Sequence, residues 1–299
     1  MAQKKKTQKS KANLGKGKAV VAKPNKKTAP KTRKPKPLVP EPPERTPRRV
    51  MVIVHGGGDI PENYFEGLVR GVKTQLGKPF DFLPAYYSDV ITQHQFSIAA
   101  VESPEVAQLK AAYEKQLRDS HARAQAENQA RGIVTTSFFG LDAAMQDTIK
   151  EVVVYLTNAN AAQEVRERLI ATLDQAATDF DEIILASHSL GTVVSFDVLK
   201  QAAHRYNIAY WFTMGCPLGK LIKIRSRDSG LGEISAQHIA RWHNLFDTND
   251  FVADAISTYL FADDFHVHDI FVEVAPSMPG AHDYFENLAT HKMLAEVLK

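Results

Sequence analysis

The chain of 299 residues contains a single cysteine, Cys216, so no disulfide can form within it. A small secreted fold held together by disulfides is therefore excluded. No apolar run approaches the roughly 20 residues that a membrane-spanning helix needs. The lysines at the amino terminus are followed by no apolar segment of the kind found in signal peptides. These absences favour a cytoplasmic protein and leave peripheral membrane contact open.

The first 49 residues lack aromatic side chains but hold eight of the fifteen prolines, thirteen lysines and four arginines. Only Glu41 and Glu44 oppose this charge, so the segment carries +15 and leaves −12 for the rest of a chain of net charge +3. Such a composition cannot bury a core, and residues 1–48 are predicted to be a disordered Lys/Pro-rich tail.

Two functions remain open for this tail. It either makes weak, nonspecific contact with a polyanion or an anionic membrane, or it only keeps the chain in solution. Because no aromatic residues lie among the lysines, the tail offers no stacking platform for single-stranded nucleic acid. No specific nucleic-acid partner is predicted.

A candidate nucleophile lies in residues 183–191, IILASHSLG, where an apolar run meets a Ser-x-Ser-x-Gly string. A segment with helical periodicity follows. This order of strand, sharp turn and helix is what a nucleophile elbow requires, with Ser189 at the tip. The residues two before and two after the serine must be small, because strand and helix backbones pass close together there. Gly191 meets this requirement, whereas Ser187 stands where glycine is usual and adds a hydroxyl group.

A glycine-rich turn, His55-Gly56-Gly57-Gly58, follows the apolar run 49–54. That run is typical of a strand buried on both faces. Glycines allow a backbone to approach a reacting carbonyl group and to point an N–H toward it. The alternatives are a turn without a catalytic task and a phosphate-binding loop. A P-loop would need Gly-Lys-Ser/Thr, which does not follow.

These features resemble the α/β-hydrolase superfamily, specifically its lipase and serine-esterase branch. The resemblance covers about residues 49–299. It rests on the His-Ser-Leu-Gly elbow, the His-Gly-x-Gly turn, the loop Gly215-Cys216-Pro217-Leu218 and the string His-Asp-Tyr-Phe-Glu-Asn at 282–287. It implies an eight-strand-type, mostly parallel sheet with helices on both faces, and a Ser-acid-His triad in that chain order. It also implies an oxyanion hole formed by the amides of Gly57 and Leu190.

A serine nucleophile needs an imidazole to take its proton and a carboxylate to hold that imidazole in the right tautomer. His282 is the candidate base, since it lies past the last predicted strand and before the closing helix. Asp247 and Asp250 both follow the strand predicted at 240–246, where the acid is expected. The resemblance favours Asp250, because the family's acid is followed by x-Val, as in Asp250-Phe251-Val252. Asp247 is the alternative.

Residues 88–150 are predicted to be a helical insertion in an otherwise regular alternation of strands and helices. Ser103 caps one of its helices. The insertion either covers the site as a lid or packs elsewhere as a decoration. Near the elbow, His188 is interpreted as a packing residue and Cys216 as a small buried residue.

The sequence thus predicts an α/β-hydrolase domain over 49–299 behind the basic tail. The expected activity is cleavage of a carboxylic ester, small or lipid-like, through an acyl-enzyme on Ser189, with Asp250 and His282 completing the triad. No metal or organic cofactor is predicted. The alternative is a catalytically silent protein of this fold that the tail tethers to anionic lipid or nucleic acid.

Overall fold

A computed structural model of the protein describes residues 46–98, 103–133, 141–225, 239–257, 267–278 and 280–299. Six strands of the described chain form one sheet in the order β2-β1-β3-β4-β5-β6, and all neighbouring strands are parallel. The strands are β1 (Arg49–Val54), β2 (Asp81–Ala85), β3 (Glu182–His188), β4 (Ile208–Met214), β5 (Trp242–Phe246) and β6 (Val267–Phe271). The predicted α/β class is confirmed. The eight-strand type implied by the resemblance has two strands more than the described sheet.

Helices lie along the chain between β1 and β2, between β2 and β3, between β3 and β4, and between β4 and β5, as the crossover connections of parallel strands require. The α-helices of the described residues are α1 (Glu66–Leu76), α2 (Ser88–Ile98), α3 (Pro104–Ala130), α4 (Leu141–Thr157), α5 (Ala159–Asp179), α6 (Leu190–Ala202), α7 (Leu218–Arg225) and α8 (Leu288–Leu298). In the described ranges, no helix has both the length and the apolar character needed to cross a membrane.

Strand β1 shows why the sheet is covered on both faces. Its residues Val50 to Val54 are fully buried, and successive side chains point to opposite faces. Val50, Val52 and Val54 join a core that includes side chains of α2 to α7. Met51 and Ile53 join a second core that α1 and α8 complete. The continuous apolar run is therefore needed, since neither face of the strand meets solvent.

The candidate site follows from this strand order. From β1 the chain first adds β2 on one side and then returns to place β3 on the other side. Loops after β1 and β3 therefore meet at a switch point at the carboxyl edge of the sheet, where parallel α/β folds form ligand sites. The glycine-rich turn follows β1 and Ser189 follows β3.

Several predicted helix boundaries are wrong. A proline suited to a first helical turn, followed by apolar residues four apart, predicts a helix from Pro61, but α1 begins at Glu66. The hydroxyl group of Tyr64 lies 2.8 Å from the carbonyl oxygen of Ile53 and 3.0 Å from that of Ala85. These contacts hold residues 61–65 as turns against the sheet instead of a first helical turn.

The closing helix also begins later than its predicted start at Tyr284. It starts at Leu288, after Asn287, whose side chain accepts a hydrogen bond from the amide of Thr290. Tyr284 instead packs inside the core near the site. Helix α7, at 218–225, was not predicted, because its apolar pattern is short.

Helices α2 and α3 lie within the segment 88–150, and α4 runs from this segment to Thr157. That the segment is an insertion stays a prediction. Ser103 caps α3, as predicted, by accepting a hydrogen bond from the amide of Val106 at 3.4 Å. The tail predicted at 1–48 falls almost wholly outside the described residues and stays a prediction. Residues 46–299 form one compact unit, and the candidate site lies within it.

Candidate active site

Ser189 occupies a strained turn between β3 and α6. Its φ of +50° and ψ of −125° lie outside the regions that L-residues favour, and it is the one non-glycine residue of the described ranges with positive φ. Such a conformation costs on the order of 1–3 kcal/mol. The amide of Ser189 donates to the carbonyl of Met214 at 2.9 Å, and Thr192 donates to the Ser189 carbonyl from both its amide and its hydroxyl group. These bonds hold the strained turn.

The small residues predicted around Ser189 are required by close backbone contact. A Cβ atom on Gly191 would lie 2.2 Å from the backbone oxygen of His55, so only glycine fits. Ser187 is fully buried, and its hydroxyl oxygen lies 2.8 Å from that of Ser195 and accepts a bond from the indole of Trp211 at 3.1 Å. The extra hydroxyl group at this position is therefore hydrogen-bonded on the side away from the turn.

His282 and Asp250 form a direct pair. Nδ1 of His282 lies 2.7 Å from Oδ2 of Asp250, which is almost wholly buried. Burial alone would raise the pKa of Asp250. The imidazole of His282, the amide of Val252 and the ammonium group of Lys220 outweigh burial and lower the pKa of this carboxyl group. An ionised Asp250 accepts a hydrogen bond from Nδ1–H of His282, which leaves Nε2 of this imidazole able to take a proton.

Asp247 is also buried but has other partners. Its Oδ1 accepts from the amide of Asn249 at 2.8 Å, and its Oδ2 accepts from the amides of Val274 at 2.7 Å and Ala275 at 3.2 Å. Burial raises its pKa against the effect of these amides. The side chain of Asp247 thus joins the loop after β5 to the segment after β6 through hydrogen bonds to backbone amides. The side chain of Asp250, in contrast, contacts the imidazole of His282.

Three contacts place His282 beside the elbow. A Cβ atom on Gly215, the first residue after β4, would lie 2.9 Å from Nδ1 of His282, so the imidazole ring packs directly against this glycine. The rings of His188 and His282 are 4.5 Å apart between centroids. Nε2 of His188 donates to the backbone oxygen of His282 at 2.9 Å.

His188 was interpreted as a packing residue, but it anchors the candidate base. Burial, followed by the nearby imidazole of His282, lowers the pKa of His188 to about 3. His188 is therefore neutral at physiological pH, with its proton on the Nε2 that meets the His282 carbonyl. The sequence feature that could have indicated this role is the position of His188 next to Ser189 in the elbow.

The turn after β1 is held by His55. The amide of Tyr87 donates to Nε2 of His55 at 3.0 Å, so the ring proton resides on Nδ1, which donates to the carbonyl of Gly56 at 2.6 Å. Burial lowers the pKa of His55 to about 4, which keeps this neutral tautomer. Since the Gly56 carbonyl and the Gly57 N–H belong to one planar peptide, the bond fixes the direction of that N–H.

Two further contacts define the same turn. Ser88 donates to the carbonyl of Gly58 at 2.6 Å. A Cβ atom on Gly56 would lie 2.8 Å from Cβ of Ser189 and 3.4 Å from its Oγ, so the turn passes directly beside the candidate nucleophile. The other predicted amide, that of Leu190, lies at the start of α6, where N–H groups lack acceptors within the helix.

Cys216 is fully buried, and burial raises the pKa of its thiol to about 12. A neutral, buried thiol is a poor nucleophile. Within the described ranges, no three His, Cys, Asp or Glu side chains are grouped so that they could hold a metal ion.

Sequence reasoning missed the role of Lys220. This side chain is wholly buried, pairs with Asp254 at 2.9 Å and donates to the carbonyls of Val252 and Ala253 at 3.2 and 2.9 Å. It thereby holds the backbone that follows Asp250. A lone lysine in a short amphipathic segment offers no signal of this in the sequence.

The insertion reaches the site loops from α3 and α4. Asn128 on α3 donates to the side-chain oxygen of Asn249 at 2.6 Å, next to Asp250. Glu151 on α4 packs against Gly57. Helices α3 and α4 thus contact the loops after β5 and β1, and the role of the insertion as a lid stays a prediction.

Comparison of the sequence with protein-family models and with curated proteins found no match.

Proposed function

We propose that this chain is a serine hydrolase of the α/β-hydrolase fold that cleaves a carboxylic ester. The observation that carries the proposal is the strained backbone of Ser189 at the carboxyl edge of the sheet, next to the His282–Asp250 pair. A fold that only binds a partner gains nothing from strain at a serine turn beside such a pair. Strain of this kind concentrates at functional sites.

In the proposed reaction, Oγ of Ser189 attacks the ester carbonyl while Nε2 of His282 takes the hydroxyl proton. The negative charge that develops on the carbonyl oxygen is stabilised by the amides of Gly57 and Leu190. The C–O bond then breaks, and the imidazolium gives its proton to the leaving alkoxide. An acyl group remains on Ser189.

A water molecule completes the cycle. His282 takes a proton from this water, the hydroxyl group attacks the acyl carbonyl, and the carboxylic acid leaves as Ser189 recovers its proton. Asp250 orients His282 and favours its charged form throughout. His188 acts through His282, and His55 acts through the Gly56–Gly57 peptide, so both are positioning residues.

The proposed substrate is a carboxylic ester, small or lipid-like, since both steps need only an acyl carbonyl and a leaving alkoxide.

A fluorophosphonate probe tests the proposal, because it reacts with activated serines and mimics the tetrahedral intermediate. We expect labelling of the wild-type chain at Ser189 and none in S189A. The matched control is S187A, which removes a buried hydroxyl group two residues away and should retain labelling.

Labelling at Ser187 or Cys216, or an unlabelled but folded wild-type chain, would reject the assignment. The last outcome would favour the silent binding fold. If Ser189 is labelled, a panel of esters with increasing acyl length identifies the substrate class through kcat/KM.

A further inference from the structure

A carboxyl group that the triad does not use lies against the turn that follows β1. Glu151, on α4, is 8% exposed. A Cβ atom on Gly57 would lie 1.8 Å from its Oε2 and 2.6 Å from its Cδ, so only glycine leaves room for this carboxyl group. Gly56, the preceding residue, faces Ser189 in the same way. Consecutive glycines thus lie between the nucleophile and a buried acid.

Groups from five segments, α4 itself included, interact with this carboxyl group. Burial is the largest effect and, with Asp147 one turn earlier on α4, raises the pKa of Glu151 to about 7. The amide of Gly58, the ammonium group of Lys150 and the imidazole of His282 act in the opposite direction. The phenols that interact with it, which belong to Tyr87 before α2 and Tyr113 on α3, stay neutral, since burial raises their pKa values well above 10.

We propose that the charge of Glu151 controls acyl transfer at Ser189: its protonated form permits the reaction, and its carboxylate opposes it. The proposal rests on the proposed function. It identifies Glu151 as a residue that acts on the oxyanion through the electrostatic field at Gly57, without contact to the substrate. The protein would then lose activity toward alkaline pH.

Two charges form in the transition state, and Glu151 affects them in opposite ways. Its carboxylate repels the oxyanion at Gly57 and attracts the imidazolium of His282. Coulomb energy falls with distance. The carboxyl group touches Gly57, whereas His282 has the smallest of the effects on its pKa. Repulsion of the oxyanion is therefore the larger effect, and ionised Glu151 raises the barrier.

The experiment measures the rate of fluorophosphonate labelling at Ser189 between about pH 5.5 and 9.5, a range that brackets the pKa of Glu151. E151Q keeps the shape of the side chain and removes its charge. Above about pH 7 we expect the wild-type rate to fall and the E151Q rate to stay level. A roughly tenfold advantage of E151Q at pH 9, and near equality at pH 5.5, is expected for one charge at this range.

E62Q is the matched control, since it removes one negative charge from an exposed position close to the same turn in the chain. It should follow the wild-type profile. E151M, of similar length and without charge, provides a second variant if E151Q does not fold, and its profile should also stay level. Circular dichroism establishes that each variant is folded.

An E151Q or E151M profile that falls at alkaline pH as the wild type does would overturn the inference. So would slower labelling of E151Q than of wild type at pH 9, which would mean that attraction to His282 dominates. Both results leave the proposed function standing, because Ser189 is still labelled. A folded wild-type chain without labelling at any pH would reject the proposed function itself.

Discussion

The hydroxyl group of Tyr284 donates a hydrogen bond to Oδ2 of Asp250 at 3.1 Å and accepts one from the amide of Asp247 at 2.8 Å. One phenol therefore contacts both candidate acids, but in different ways. It binds the carboxylate of Asp250 beside His282 and only the backbone of Asp247. The two aspartates therefore have different surroundings, although they lie three residues apart.

The first prediction concerns these two acids. D250N should allow the wrong tautomer of His282 and lower turnover on the order of 10⁴-fold, as the equivalent change does in trypsin-like triads. D247N replaces a carboxylate that three amides contact, so it should lower stability by about 1–3 kcal/mol and leave the turnover of the folded protein similar. Kinetics and thermal unfolding of both variants test this. Greater loss of turnover in D247N would make Asp247 the acid.

Lys220 provides a prediction about the loop that carries Asp250. K220M should leave the carboxylate of Asp254 buried without its partner and destabilise the fold by roughly 3–5 kcal/mol. The double variant K220M/D254N removes both charges and should recover part of this loss. A double-mutant cycle by urea unfolding measures the coupling. Additive losses would contradict the pairing.

The elbow makes a steric prediction at Gly191. G191A should place a methyl group 2.2 Å from the backbone oxygen of His55, so the strand or helix must move and both stability and fluorophosphonate labelling should fall. G77A is a useful comparison. Gly77 has a φ of +68° and open space around it, so alanine there costs only the backbone strain of about 1 kcal/mol. Equal effects of both variants on labelling would contradict close packing at the elbow.

Glu151 makes a prediction about stability that needs no substrate. Its pKa rises from 4.5 to about 7 on folding, so the folded protein binds more protons than the unfolded chain between these values. Wild-type stability should therefore fall as pH rises through this window, by roughly 3 kcal/mol at most. E151Q has no carboxyl group to ionise at this position, so its stability should not fall in this way. Its Tm should exceed that of the wild type at pH 8 and approach it near pH 4.5, whereas a constant difference would mean that Glu151 does not titrate in this range.

The basic tail provides the last prediction. Residues 1–48 of the chain hold most of the +15 charge of its first 49 residues, so we expect weak binding to DNA or to anionic vesicles that falls steeply with salt. Deleting 1–48 should abolish this binding and leave hydrolysis of a soluble ester unchanged. Loss of hydrolysis in a folded truncated chain would show that the tail belongs to the site. Absence of binding at low salt would favour a tail that only solubilises.

Local patterns were sufficient for much of the sheet. The apolar runs 208–214 and 49–54 each predict a strand, and β4 and β1 occupy these positions, because strands buried on both faces need continuous apolar runs. The start of α1 was wrong by five residues, since its position depends on bonds from Tyr64 to Ile53 and Ala85. A helix start set by contacts with two other strands leaves no local pattern.

The sequence by itself determined the strand–turn–helix around Ser189, because strain at that turn needs only small neighbours and flanking elements of the right period. It also placed His282 and two candidate acids in order along the chain. Only the tertiary structure shows which of the two carboxylates contacts His282, since the amides that occupy Asp247 come from residues 274 and 275, beyond β6. It alone brought Glu151 to Gly57, because helix packing, and not spacing along the chain, sets which side chain of a long helix meets a distant turn.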